Sequence, residues 1–226
     1  GAGTGPARAA LDAVLAPAIS VQTRQRDERL GAQVVTEMAR SHEESSPVGS
    51  FFCDVLLGLH PEREICLLNS GGIRDALPAG EITYGALYDV LPFGNYAATL
   101  EISGEVLLKL LRIGTSGGHG VLQVAGVTLT YDPSVESCAE EPVATDRLTS
   151  AMGPDGAPID PSRTYRVITN SFLAAGGDGW RDVVQGLPLG SIRVLEHLLP
   201  IREQIGAWLR EKRPILNSPD RPVMPT

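Results

Sequence analysis

The chain has 226 residues, a formal net charge of −8 at pH 7, 20% charged and 42% hydrophobic side chains, the proportions of an ordinary globular fold rather than a disordered or fibrous chain. The acidic balance argues against a nucleic-acid polymer as partner, because that affinity comes from clustered Lys and Arg displacing counterions, and no apolar run approaches the ~20 residues of a membrane-spanning helix. Three cysteines, Cys53, Cys66 and Cys138, are too few and too scattered for a disulfide framework or a zinc site.

The opening Gly1 to Pro6 has neither the basic nor the apolar region of a secretory signal. Ala7 to Ile19 places Leu11, Val14 and Leu15 at helical spacing and predicts a leader helix ending near Pro17, suited to linking an upstream domain. Gln22 to His42 is polar, with Val34-Val35 as a candidate edge strand. Ser45-Ser46-Pro47 supplies capping hydroxyls and a proline pre-set for a first helical turn, so Val48 to Leu59 reads as a buried helix. Cys53 on that helix and Cys66 in the next apolar run read as small core hydrophobes, and Cys138 as exposed.

Glu64 to Asn69 predicts a strand running into the small-residue loop Ser70-Gly71-Gly72. Thr83 can cap a helix through about Val90, ended by Pro92, and a strand follows at Ala97 to Ile102. Glu105 to Ile113 is an amphipathic helix, and Val121 to Tyr131 alternates as a strand. Asp132 to Asp146 reads as an acidic surface excursion, Thr164 to Thr169 as a β-branched strand, and Leu195 to Arg210 as the closing helix. This gives an α+β fold of mixed β-sheets layered with helices, divided into a leader (1–30), one domain (31–213) and a loose tail (214–226).

Three segments gather Gly, Asn, Asp, Arg and aromatic residues at element ends, where loops on a rigid scaffold carry function. In Asn69 to Arg74, Gly71 and Gly72 let backbone approach a ligand, and Arg74 offers paired donors to a phosphate or ribose; from these residues alone, a structural turn with a surface arginine is the plainer reading. In Leu91 to Asn95, Phe93 sits between Pro92 and Gly94, either as a core ring or as a stacking platform. In Asn170 to Trp180, Phe172 is a second ring in a polar, Gly-rich loop, and Asp178 is framed by glycines as a turn residue or as an acceptor for ribose hydroxyls. Two such rings could clamp a planar base, each for roughly 1–3 kcal/mol.

In order, Asn69-Ser70-Gly71-Gly72-Ile73-Arg74, Leu91-Pro92-Phe93-Gly94-Asn95, Leu122-Gln123-Val124-Ala125-Gly126 and Thr169 to Gly179 resemble the C-terminal domain of the 5′-nucleotidase family, over roughly residues 31–209. The family takes in 5′-nucleotidases, UDP-sugar hydrolases and 2′,3′-cyclic-nucleotide phosphodiesterases. The resemblance implies a base held between Phe93 and Phe172, with Asn69 and Arg74 facing ribose and phosphate, Asp178 on the ribose hydroxyls and Asn95 near the base. It implies no cofactor in this chain. Two divalent metal ions and the hydrolytic chemistry are expected from a partner N-terminal metallophosphoesterase domain that the chain lacks, and an extracytoplasmic home is expected.

The segment before the first buried helix departs from the family pattern: His42 and Glu44 stand where arginines that help to bind phosphate are usual. A carboxylate there would repel phosphate. The chain therefore reads as a nucleoside or nucleotide-recognition domain of a 5′-nucleotidase-type phosphohydrolase, inactive by itself, the alternative being a non-catalytic binding or interaction module.

Overall fold

The computed structural model describes residues 6–135, 147–217 and 224–225. In chain order the elements are α1 (Pro6–Arg26), β1 (Arg29–Val34), α2 (Pro47–Leu59), β2 (Ile65–Leu68), β3 (Gly80–Thr83), α3 (Tyr84–Val90), β4 (Ala97–Ser103), α4 (Gly104–Thr115), β5 (Gln123–Ala125), β6 (Thr128–Tyr131), β7 (Leu148–Met152), β8 (Thr164–Asn170), α5 (Ser171–Ala174), α6 (Arg181–Gln185), β9 (Ile192–Val194), α7 (Ile201–Lys212), β10 (Ile215–Leu216) and β11 (Met224–Pro225). The architecture is α+β with mixed sheets, as the sequence predicts.

Capping residues set the helix starts. Ser46 Oγ accepts the amide of Gly49 ahead of α2, Thr83 that of Ala86 ahead of α3, and Ser103 that of Val106 ahead of α4, each satisfying a backbone donor that the first helical turn leaves without a partner. The central sheet has the order β5-β2-β8-β4-β9, with β2 and β8 parallel and the other pairs antiparallel. Over β5, β2 and most of β4 and β8 it is buried on both faces. Along β2, Cys66 and Leu68 join the core beneath α2, α3 and α7, whereas Ile65 and Leu67 join a second core with α4, β6 and β7. A four-residue run of apolar side chains is what two-sided burial demands of so short a strand.

Several boundaries differ from the sequence reading. α1 continues through Pro17 to Arg26; on an exposed helix the carbonyl freed by the missing proline N–H can be met by water. β1 is the middle strand of β10-β1-β3 and not an edge, because Leu30, Ala32 and Val34 form a period-2 buried face. The segment Val121 to Tyr131 divides into β5 and β6 at Gly126, where φ is +73° and a Cβ would lie 2.0 Å from the Glu64 carbonyl oxygen. α7 begins only at Ile201 since Pro200 disfavours helical geometry in the residue before it. Within the tail expected to be loose, Ile215–Leu216 pairs with β1 in parallel. Cys138 and most of the acidic excursion fall outside the described residues. No helix among the described residues is long and apolar enough to cross a membrane.

Candidate functional site

Strand polarity brings the Gly-rich loops of the sequence to one end of the central sheet. β2 and β8 run in parallel, so both finish there, β2 into Asn69 and the 3₁₀ turn Ser70–Gly72, β8 into Asn170 and α5. β4 and β5 are antiparallel to those strands, so the segments leading into them, which carry Phe93 and Gly118, arrive at the same end. Reciprocal bonds between Tyr96 and Ser171, amide to carbonyl at 2.8 Å and amide to hydroxyl at 3.2 Å, join the start of β4 to the start of α5.

A cavity of about 380 Å³ opens at this end, lined by His42, Asn69, Gly71, Gly72, Phe93, Asn95, Gly118, His119, Phe172 and Asp178. Its volume falls within the range usual for small-molecule pockets. Phe93 and Phe172 remain 49% and 43% exposed, in contrast to the buried Phe51 and Phe52 on α2.

Each ring is held from behind. The loop bearing Phe93 is fixed by Arg202 of α7, whose guanidinium donates to the carbonyls of Leu91 (2.9 Å) and Pro92 (3.1 Å) and lies 4.5 Å from the centroid of Tyr88. Phe172 occupies the space left by the missing side chain of Gly177: a Cβ there would come within 2.4 Å of the ring. The Gly177 amide also donates to the Phe172 carbonyl at 3.0 Å.

Polar groups on the floor form a directional chain. Asn170 Oδ1 accepts the Leu173 amide at 2.9 Å, which leaves its Nδ2 to donate to Asn69 Oδ1 at 2.8 Å; Asn69 Nδ2 then donates to Asp178 Oδ2 at 3.0 Å. A backbone N–H at one end and a carboxylate at the other admit one orientation of both amides. Asp178 has a left-handed φ of +48°, between Gly176 at +93° and Gly179 at +82°, and Trp180 beyond it is fully buried. The bond to Asn69 offsets part of the strain at a non-glycine residue in that region.

Of the eight residues singled out in the sequence, Asn69, Gly71, Gly72, Phe93, Asn95, Phe172 and Asp178 line the cavity. Arg74 does not. It is exposed, and its guanidinium donates to the Gly71 carbonyl at 3.2 Å. Of the two positions where arginines are usual, His42 lines the cavity whereas Glu44 lies outside its walls. The Glu44 carboxylate contributes, after burial, to raising the Tyr131 hydroxyl pKa above its ordinary value.

Sequence reading missed Arg202, Asn170 and His119 as parts of this site. Asn170 carried the usual signal of an N-cap; Arg202 carried none, because its targets lie 110 and 111 positions away. The Leu122-Gln123 motif proves to be structural. Buried Gln123 accepts from the amide and hydroxyl of Ser46 and donates to the carbonyls of Glu44 and Val121, pinning the entry to α2.

Among the described residues, no group of three or more His, Cys, Asp or Glu is placed to hold a metal ion. His60, for one, is buried against Gln204 on α7.

Known proteins resemble the chain in sequence and in fold. The chain is 36% identical over 146 residues to an apyrase of Tabanus yao, covering 60% of this chain and 24% of the apyrase. It is 32% identical over 163 residues to a snake venom 5′-nucleotidase of Macrovipera lebetinus, covering 64% of this chain and 39% of that one. The crystal structure of a 5′-nucleotidase precursor from Thermus thermophilus superposes with a TM-score of 0.76 at 27% identity, covering 93% of this chain and 41% of the other. The chain thus spans between about a quarter and two fifths of the length of these relatives. Residues 23–185 match the family described as 5′-nucleotidase, C-terminal domain, and the chain belongs to that family.

Proposed function

We propose that the chain is the substrate-recognition domain of a 5′-nucleotidase-type phosphohydrolase and that its cavity takes a nucleoside or nucleotide with the base stacked between Phe93 and Phe172. The observation that carries this reading is the pair of half-exposed rings, distant in sequence, on the wall of one cavity of about 380 Å³. Rings left in water at a site with such polar neighbours gain most from a flat, apolar-faced partner. With Oδ2 of Asp178 engaged by Asn69, Oδ1 is the acceptor offered to a ribose hydroxyl. Arg74 donates to the carbonyl of Gly71, a wall residue, and exchanging that one bond to a neutral carbonyl for a phosphate would strengthen the contact.

Recognition needs no chemistry from these residues. Hydrolysis is assigned to a metallophosphoesterase domain with two divalent metal ions, docked against this one, as the venom 5′-nucleotidase and the Thermus enzyme precursor are longer proteins that match this chain over part of their length. The likeness to a venom enzyme also supports an extracytoplasmic home.

Calorimetric titration with adenosine, AMP and UDP-glucose tests the reading. Phe93→Ala and Phe172→Ala are each expected to weaken binding roughly 5- to 150-fold, the equivalent of about 1–3 kcal/mol per ring, without change in thermal stability. The chain by itself is expected to release no phosphate from AMP. Failure of all three ligands to bind the unmutated chain at millimolar concentration contradicts the reading and favours an interaction module; phosphate release by the pure chain contradicts the assignment of hydrolysis elsewhere.

A further inference from the structure

His119 shares the cavity wall with Asp178, and the fold holds it there. It stands in the tight turn from Gly117 to Gly120, whose two end glycines have left-handed φ of +86° and +82° and form a β-bridge across the turn. Behind the turn, the Val121 amide donates to the His42 carbonyl at 2.9 Å, and Ser70 Oγ donates to the same oxygen at 3.1 Å. Gly120 reaches that junction only because it has no side chain: a Cβ there would lie 2.4 Å from Ser70 Oγ and 2.6 Å from the His42 oxygen. The His119 side of the turn is exposed. A Cβ on Gly179 would lie 3.6 Å from both Cδ2 and Nε2 of His119, so the imidazole borders the residue that follows Asp178. Among the described residues no hydrogen bond or ion pair engages its nitrogens.

We infer that His119 is a second sugar contact beside Asp178 and makes the cavity selective for ribosides over deoxyribosides. The inference rests on the nucleoside reading above. A ribose presents two adjacent hydroxyls, and each must find a partner once the ligand displaces water. As a carboxylate, Asp178 can only accept, and Asn69 already occupies its Oδ2. Its remaining oxygen suits one hydroxyl. An imidazole, neutral or protonated, keeps at least one N–H donor, which suits the other. A deoxyriboside lacking that second hydroxyl would cover the imidazole and leave it without a partner, the kind of mismatch by which a polar site rejects an analogue.

Calorimetric titration of the whole chain with adenosine, 2′-deoxyadenosine and 3′-deoxyadenosine tests this in the unmutated protein, His119→Ala and His119→Phe. The phenylalanine variant keeps a ring of similar size without its nitrogens. Both variants are expected to bind adenosine roughly 3- to 10-fold more weakly, the scale of one hydrogen bond. One deoxyadenosine is expected to show the same penalty, and the other, which lacks the hydroxyl taken by His119, to bind the variants and the unmutated chain equally. Adenosine binding that Phe93→Ala weakens but both His119 variants leave unchanged overturns this inference and leaves the nucleoside reading standing. An equal penalty on all three ligands does the same, as does a penalty in His119→Ala that His119→Phe restores. Failure of the unmutated chain to bind adenosine overturns both.

Discussion

Asn170 shows how much of the site depends on residues that need not touch a ligand. It spends one end of its amide on the first turn of α5 and the other on Asn69, and through Asn69 it aims the Asp178 carboxylate. Asn170→Asp keeps the cap but sets a carboxylate oxygen against Asn69 Oδ1; if Asn69 flips to relieve that contact, it turns its own oxygen on Asp178. The expected cost is about 1–3 kcal/mol of stability, read from chemical denaturation, together with weakened nucleoside binding. Gly177→Ala acts on the other side of the cavity. A methyl group cannot coexist with the Phe172 ring in its present place, so binding of adenosine is expected to fall by roughly fivefold or more; unchanged affinity would mean that the ring's position is immaterial. The sequence displayed Phe93, Phe172 and Asp178 because rings and acids in Gly-rich loops are conspicuous. It could not show that Arg74 turns to the Gly71 carbonyl, since several rotamers of an exposed arginine satisfy the same pattern.

Among the elements, those with a chemical signal at their start were legible. Ser46 before Pro47 and Thr83 before Tyr84 supply the hydroxyl acceptors that helix starts require, and α2 and α3 begin there. Elements whose identity rests on partners were not. β7 and β9 are short and partly exposed, and they are strands only because β6 and β4 lie beside them. Gln123 joins β5 to α2: its side chain fills the space over Gly49 and satisfies the peptide groups entering α2. Gln123→Ala leaves several buried polar groups without partners, and a loss of about 3 kcal/mol, or roughly 6–12 °C in Tm, is expected. Between α3 and α7, Tyr84 donates to Glu203 at 2.6 Å, and burial, then that bond, raise its pKa above 10.0. The fold therefore favours neutral Tyr84. Its contribution is complete below the unfolded pKa and is lost as pH rises through the higher folded value, so the stability advantage of the wild type over Tyr84→Phe is expected to shrink on entering that alkaline window in pH-dependent unfolding.

At the scale of the whole molecule, the cavity is a consequence of strand direction. Two parallel strands end, and two antiparallel strands begin, at one edge of a five-stranded sheet, so loops spread from Asn69 to Asp178 meet in space. Composition and periodicity reveal neither strand order nor polarity; the ordered motifs conveyed the convergence only through their resemblance to a family. The tail takes part as well, Ile215–Leu216 covering one side of β1. The central claim, that a flat base lies between two particular rings, can be read directly because the chain has four phenylalanines, two in the core on α2 and two in the cavity. In NMR spectra of the chain with ring-labelled phenylalanine, saturating adenosine is expected to shift the Phe93 and Phe172 ring signals by ring-current effects while Phe51 and Phe52 stay in place. Bound adenosine that leaves the Phe93 and Phe172 signals unmoved would contradict the stacking clamp.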